Sequence, residues 1–295
     1  MIVTTLLTSV MMLACAVPRA EFTSEIAQRP DFKERDEINQ TYQLEPGARV
    51  EVSSIRGSVE IDNVDTATAE VKIIRTARTR ADLEYHKIEV EQVGNRLVVR
   101  GVQEPQERRE RNIQVDHKVI LKLPRRIDLS VNSVSGSLTA GDLDGQTHVS
   151  SISGSVNIGN VGGKLQVTSV SGSVEVGNVG AEARVNSVSG NVRLGQATGS
   201  LEVSSVSGSV NATLVSLGSQ GIQIKSVSGS VEIGFKSDIN ADFNADHVSG
   251  QVYLDVPNVT RESEEKSPNV RARIGAGGTP ITIFSVSGSI RLTRS

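Results

Sequence analysis

Ser-Val-Ser-Gly or a near copy ends at Gly136, Gly154, Gly172, Gly190 and Gly208, each 18 residues after the one before. The register then stretches: Gly229 and Gly250 follow at intervals of 21, Gly288 closes the chain after a longer insertion, and Ile55-Arg56-Gly57 is an early, isolated copy. A fixed period of this length is the signature of a stacked array, in which each repeat is a small unit unable to bury its apolar face alone.

Within one unit, Leu165 to Gly180, apolar and polar residues alternate with period two and never with helical spacing. Leu165 and Val167 point one way and Gln166 the other. After a change of phase at Thr168-Ser169, Val170, Gly172, Val174 and Val176 share an inward face opposite Ser169, Ser171, Ser173 and Glu175. The phase change predicts one corner at Thr168-Ser169, and Gly177 to Gly180 predict another, because glycine takes positive φ without strain. The equivalent inward positions are Val149, Ile152, Val156 and Ile158 in one rung and Val203, Val206, Val210 and Ala212 in another. So few small apolar groups cannot offset the entropy of ordering a whole rung, so each strand must pair in parallel with its counterpart in the next. The expected fold is all-β: a parallel β-solenoid with rungs of about 18 residues, flattened into a β-helix where inward glycines bring opposite walls together.

Residues 41–132 alternate less regularly, as in Arg49-Val50-Glu51-Val52 and Val119-Ile120-Leu121-Lys122-Leu123, and read as an irregular, wider N-terminal part of the solenoid that caps its open apolar end. Ala77 to Tyr85 suits one short helix, and Gln103 to Asn112 reads as a highly charged loop or extended hairpin tip. Residues 133–295 carry the regular repeats, their last edge blunted by Arg291 and Arg294. Ahead of all this, Ile2 to Val17 is an almost uncharged apolar run too short to span a bilayer as a helix, so residues 1–20 are expected to be an export signal. Met12-Leu13-Ala14-Cys15 resembles a lipobox, which would make Cys15 a lipid anchor; cleavage after Ala16 is the other route. Residues 21–40 are polar and aperiodic, as expected of a disordered linker.

Composition narrows the function. A formal charge of −3 supplies no basic field for nucleic acid, and with 3% aromatics and no Trp the chain is poor in the residues that line cofactor pockets. One cysteine and four scattered histidines, His86, His117, His148 and His247, show no metal-ligand spacing. No Gly-x-Ser-x-Gly elbow presents a nucleophile. Asp142 with Asp144, and Asp238 with Asp242 and Asp246, could in principle supply paired acids, but their place at corners reads as solvated loop charge. Gly275 to Gly278 lacks the Lys-Ser/Thr ending of a phosphate loop and reads as a turn. No catalytic, cofactor or metal residue is therefore expected.

Taken jointly, Leu44-Glu45-Pro46-Gly47 before Val50-Glu51-Val52, Gly57-Ser58-Val59-Glu60-Ile61, Leu121-Lys122-Leu123-Pro124, the serial Ser-Val-Ser-Gly-Ser-Val units and the closing Gly275-Ala276-Gly277-Gly278 with Ile281-Thr282-Ile283 resemble the bacterial putative-adhesin, or toastrack, family of β-strand repeats over about residues 40–295. That resemblance implies an extracytoplasmic location, an anchor in many members, a link to envelope stress in some bacteria, and no catalytic residue to carry over.

The reading that follows is a non-enzymatic, exported interaction or scaffold module of the cell envelope, in the periplasm or at the cell surface. Its expected partner is an envelope protein or a glycan, with no nucleic acid and with a membrane contacted only through the N-terminal anchor. The competing readings are a polysaccharide-active β-helix enzyme and an envelope-stress regulator. The speculative contact face is a set of three outward hydroxyl ladders: Ser133, Ser135, Ser137; Ser151, Ser153, Ser155; Ser169, Ser171, Ser173; Ser205, Ser207, Ser209; and Ser226, Ser228, Ser230.

Overall fold

The computed structural model describes residues 33–103, 115–263 and 269–294. The expected export signal, with Cys15, and the charged segment after Gln103 lie outside the described residues. In one rung, Leu165–Ser171 forms a long strand and Val174–Val176 a short one. The long strand pairs in parallel with Thr147–Ser153 on one side and Ala183–Ser189 on the other, Leu165 aligning with Thr147 and Ala183 at the 18-residue period. The short strand pairs likewise with Val156–Ile158 and Val192–Ala197. Val179, buried in the following turn, bridges Val161 and Ala197, and with Leu143 this column adds one more inward residue to each of four rungs. The chain is thus an all-β parallel solenoid with a long-strand sheet and a short-strand sheet, and Val, Leu and Ile ladders fill its interior. Among the described residues no helix is long and apolar enough to cross a membrane.

The corner lies three residues later than its expected place. Alternation runs unbroken through Leu165, Val167 and Ser169, all buried, and Val170 is exposed. The chain turns at Gly172, whose φ is +115°. Ile152 and Val206 are therefore outward, not inward, because residues before the true corner keep the alternating phase of the long strand. Glycine is present for the turn itself, not to thin the interior. Its reason is double: positive φ, and a Cβ on Gly172 would overlap the carbonyl of Gly154 one rung below. The same column runs through Gly57, Gly136, Gly154, Gly172, Gly190, Gly208 and Gly229.

The stack does not follow chain order at either end. The strand Ala48–Val64 lies between Arg96–Gln103 and Ile127–Ser135 in the long-strand sheet, and between Val115–Pro124 and Leu138–Ala140 in the short-strand sheet. At the other end Thr279–Ser287 inserts between Ile222–Ser228 and Ala241–Ser249, and Ile290–Arg294 between Val231–Phe235 and Val252–Asp255. The final strand is thus interior, and Arg291 and Arg294 pair with Asp255 and Asp238 instead of blunting an edge.

Antiparallel strands close the ends. Glu34–Gln43 pairs with Thr68–Ala77, which pairs with Val115–Pro124, and His86–Val93 pairs with Arg96–Gln103. Part of the expected linker is thus strand, from Glu34 onward, with Arg75 ion-paired to Asp36 and Lys72 to Glu37 across the pair. At the far end Val259–Arg261, Asn269–Ile274 and Ala241–Ser249 form an antiparallel set. The short helix is Arg80–Tyr85, begun by a capping box between Thr79 and Asp82.

Candidate interaction face

The displaced corner rearranges the serines. Ser133, Ser151, Ser169, Ser205 and Ser226 point inward and are buried, together with Ser187 and Ser285. They stack one above another through the paired registers of the long-strand sheet. Ser133 Oγ donates to the carbonyl of Ser135 at 3.3 Å, whereas the hydroxyls of Ser151, Ser169, Ser187, Ser205, Ser226 and Ser285 have no hydrogen-bond partner. This first ladder is thus removed from the expected contact face. Ser135, Ser153, Ser171, Ser207 and Ser228 remain at the surface before the glycine, and Ser137, Ser155, Ser173, Ser209 and Ser230 after it. The two surviving ladders flank a corner rather than lie on one flat sheet.

What the sheet does present is aliphatic. Val134, Ile152, Val170, Val188, Val206 and Val227 form one outward column, each 37–54% exposed. It stands between the hydroxyl ladder at the corner and a polar column of Asn132, Ser150, Thr168, Asn186, Ser204 and Lys225. Phe284, 44% exposed, continues the apolar surface beside Lys225. A further outward column holds His148, Gln166, Arg184, Glu202 and Gln223, within which Arg184 Nε donates to Glu202 at 2.7 Å. A stacked run of half-wetted valines is more apolar surface than scattered single residues present, and neither it nor the adjoining polar column carries a charge before Lys225. Sequence reasoning missed these valines because it assigned them to the core; the available signal was Gly172, the residue of this stretch suited to a turn at positive φ.

The acidic candidates are occupied structurally. Asp142 Oδ1 accepts from the N–H (2.7 Å) and Nδ2 (2.9 Å) of Asn160, and Asp142 also pairs with Arg125. Asn160 in turn accepts from the N–H of Asn178, and Asn178 from that of Gln196, so one corner is held by a ladder of side-chain caps. Asp144 lies near Arg126; Asp238 pairs with Arg294; Asp242 accepts from the N–H of Gly278; and Asp246 lies across the ladder from Asn269. The Gly275 to Gly278 segment is a turn bonded to Asn240 and Asp242. No cluster of metal-ligating residues occurs among the described residues.

One end of the aliphatic column reaches a cleft of about 260 Å³ whose lining includes Arg56, His86, Lys87, His117 and Val134. His117 is 6% exposed, and neither ring nitrogen has a hydrogen-bond partner. Burial, then the neighbouring His86, lowers its pKa from 6.5 to about 4. Burial also lowers His86, helped by the charge of Arg56. Both imidazoles are held toward the neutral form, consistent with packing at the stack end, where His117 occupies the place paired with Gly57.

A family model described as Toastrack DUF4097 matches residues 75–293. Among solved structures, a putative adhesin from Bacteroides fragilis is 15% identical, with 87% of this chain and 97% of that one covered and a TM-score of 0.46. One from Parabacteroides distasonis is 12% identical, with the same coverage and a TM-score of 0.45. A putative cell adhesion protein from Clostridium sporogenes is 11% identical, covering 88% and 100%, with a TM-score of 0.24. At such identities and scores they lend this chain no function. Comparison with curated proteins gave no match.

Proposed function

We propose, for a chain that belongs to the Toastrack DUF4097 family, that it is a non-enzymatic interaction module of the bacterial cell envelope and that the outer face of its long-strand sheet is the contact surface. The observation that carries this reading is the exposed column from Val134 to Val227, aliphatic throughout and bordered by hydroxyl groups. Such a surface binds by shape and desolvation and supplies no group for proton transfer or nucleophilic attack. The apolar run from Ile2 to Val17 supports placement outside the cytoplasm, with Cys15 as the point of lipid attachment if the lipobox-like order is used.

The test is in-cell photo-crosslinking from a reactive residue placed at Val170 or Val206, with Glu175 and Glu232 on the short-strand sheet as controls. Adducts confined to the first two positions support the reading. Absence of adducts, or equal yield at all four, overturns it. Globomycin-sensitive labelling with a fatty acid, lost in Cys15→Ser, tests the anchor; export without labelling assigns the other cleavage.

A further inference from the structure

The same face contains the description of its own partner. We infer that it is an isologous interface, so that the module of the proposed function binds a second copy of this chain with rung order reversed across a two-fold axis. The argument rests on the interaction-face reading and adds the pattern of residues along each outward column.

Place the two-fold axis in the plane of contact, parallel to the strands, between Ala183–Ser189 and Leu201–Ser207. Each column then meets its own copy run backwards. In the outermost column Arg184 meets Glu202 of the second copy, and Glu202 meets its Arg184, so the 2.7 Å pair within one chain becomes a four-membered set of alternating charge. Gln166 meets Gln223, and His148 meets Thr282. In the middle column Asn186 meets Ser204, Thr168 meets Lys225, and Asn132 meets Asp246. In the aliphatic column Val188 meets Val206, and Val170 meets Val227. No like charges meet in any of the three columns. Ser150 meets Phe284, and the charge match is the Arg184–Glu202 set, which a second copy supplies by symmetry.

The size fits. Eight long strands from Ile127–Ser135 to Ala241–Ser249 carry the face. At about 4.8 Å between strands and about 3.3 Å per residue, a seven-residue strand width gives roughly 900 Å² on each copy, against roughly 800 Å² per partner in a stable complex. The valines would interdigitate as in two sheets packed about 10 Å apart.

Sedimentation velocity on the full-length chain bearing Cys15→Ser reads the stoichiometry. A dimer is expected, with its dissociation constant raised at least about tenfold by Val188→Lys or by Arg184→Glu, and the Arg184→Glu effect reversed in Arg184→Glu/Glu202→Arg. Thermal melts on the same variants separate loss of association from loss of folding. A monomer at about 100 μM overturns the inference, as does a dimer indifferent to both face substitutions. If the chain is monomeric yet Val170 crosslinks in cells to a species of another mass, the second-copy assignment falls and the interaction face stands. If nothing crosslinks and nothing dimerises, both fall.

Discussion

Gly288 stacks on Gly229, whose carbonyl oxygen occupies the space that a Cβ on Gly288 would need, although Gly250 lies between them in the chain; Gly250 stacks on Gly288 in turn. The last segment of sequence is therefore the filling between two earlier ones. Truncation after Gly278 should strip both Ile222–Phe235 and Ala241–Asp255 of a parallel partner in each sheet. Hydrogen exchange should show amides of both neighbours becoming unprotected, while those of Leu165–Val176 stay protected. If protection is lost only at the new terminus, the inserted order is incorrect.

Gly172→Ala should destabilise the protein strongly. The substitution forces a residue with a Cβ to a φ of +115°, and that Cβ meets the carbonyl of the rung below. A cost above ~3 kcal/mol is expected from the strain and the overlap together. Gly94→Ala is the contrast: its φ is also positive, at +56°, but nothing lies within 4 Å, so denaturant titration should give only ~1 kcal/mol. Equal losses at the two sites would count against the glycine column.

Ser169→Ala should be neutral or stabilising by up to about 1 kcal/mol, because it deletes a buried hydroxyl that has no partner. Ser133→Ala, where the hydroxyl does bond the carbonyl of Ser135, should cost about 1 kcal/mol. Chemical denaturation of both variants checks the ordering, and a larger loss at Ser169 would show that its hydroxyl is bonded in solution.

His117 predicts a pH dependence whose sign is fixed by its lowered pKa. Above pH 6.5 the ring is neutral whether the chain is folded or not, and stability is complete. Between 6.5 and about 4 the unfolded chain takes up a proton that the buried ring refuses, so stability falls as pH falls; below about 4 both states are protonated and the loss levels off. The full span is about 3 kcal/mol. Beyond burial, the charges of His86 and Arg75 disfavour the protonated ring, and the backbone of Arg56 and of His86 partly offsets them. His117→Gln should flatten this part of the stability profile. An unchanged slope between pH 6.5 and 4 would assign it to other groups.

The solenoid was legible because the 18-residue spacing of glycines and the alternation of valines both survive into space. The faces were less so. Ser169 and Val170 differ in direction solely through the position of the corner, and Thr168-Ser169 contains no residue suited to positive φ, whereas Gly172 does. Weighing that one conformational requirement above the preference of valine for interiors would have put the serine inside. The insertion of Thr279–Arg294 could not be read from spacing, since Gly229, Gly250 and Gly288 have equivalent surroundings and their spatial order is set by contacts far apart in the chain. The charge pairs followed from the same packing: Asp142 reads as half of a carboxylate pair until Asn160 is placed on top of it.

Because Ala48–Val64 near the start of the solenoid and Thr279–Arg294 near its end are each gripped on both sides, a force applied between Ala48 and Arg294 has no edge strand to peel. It must first slide Ala48–Val64 or Thr279–Arg294 lengthwise against two parallel neighbours in both sheets, breaking many backbone hydrogen bonds together instead of one after another. Tension along the stack would thus meet shear rather than unzipping, and the coils would hold until a whole one let go at once.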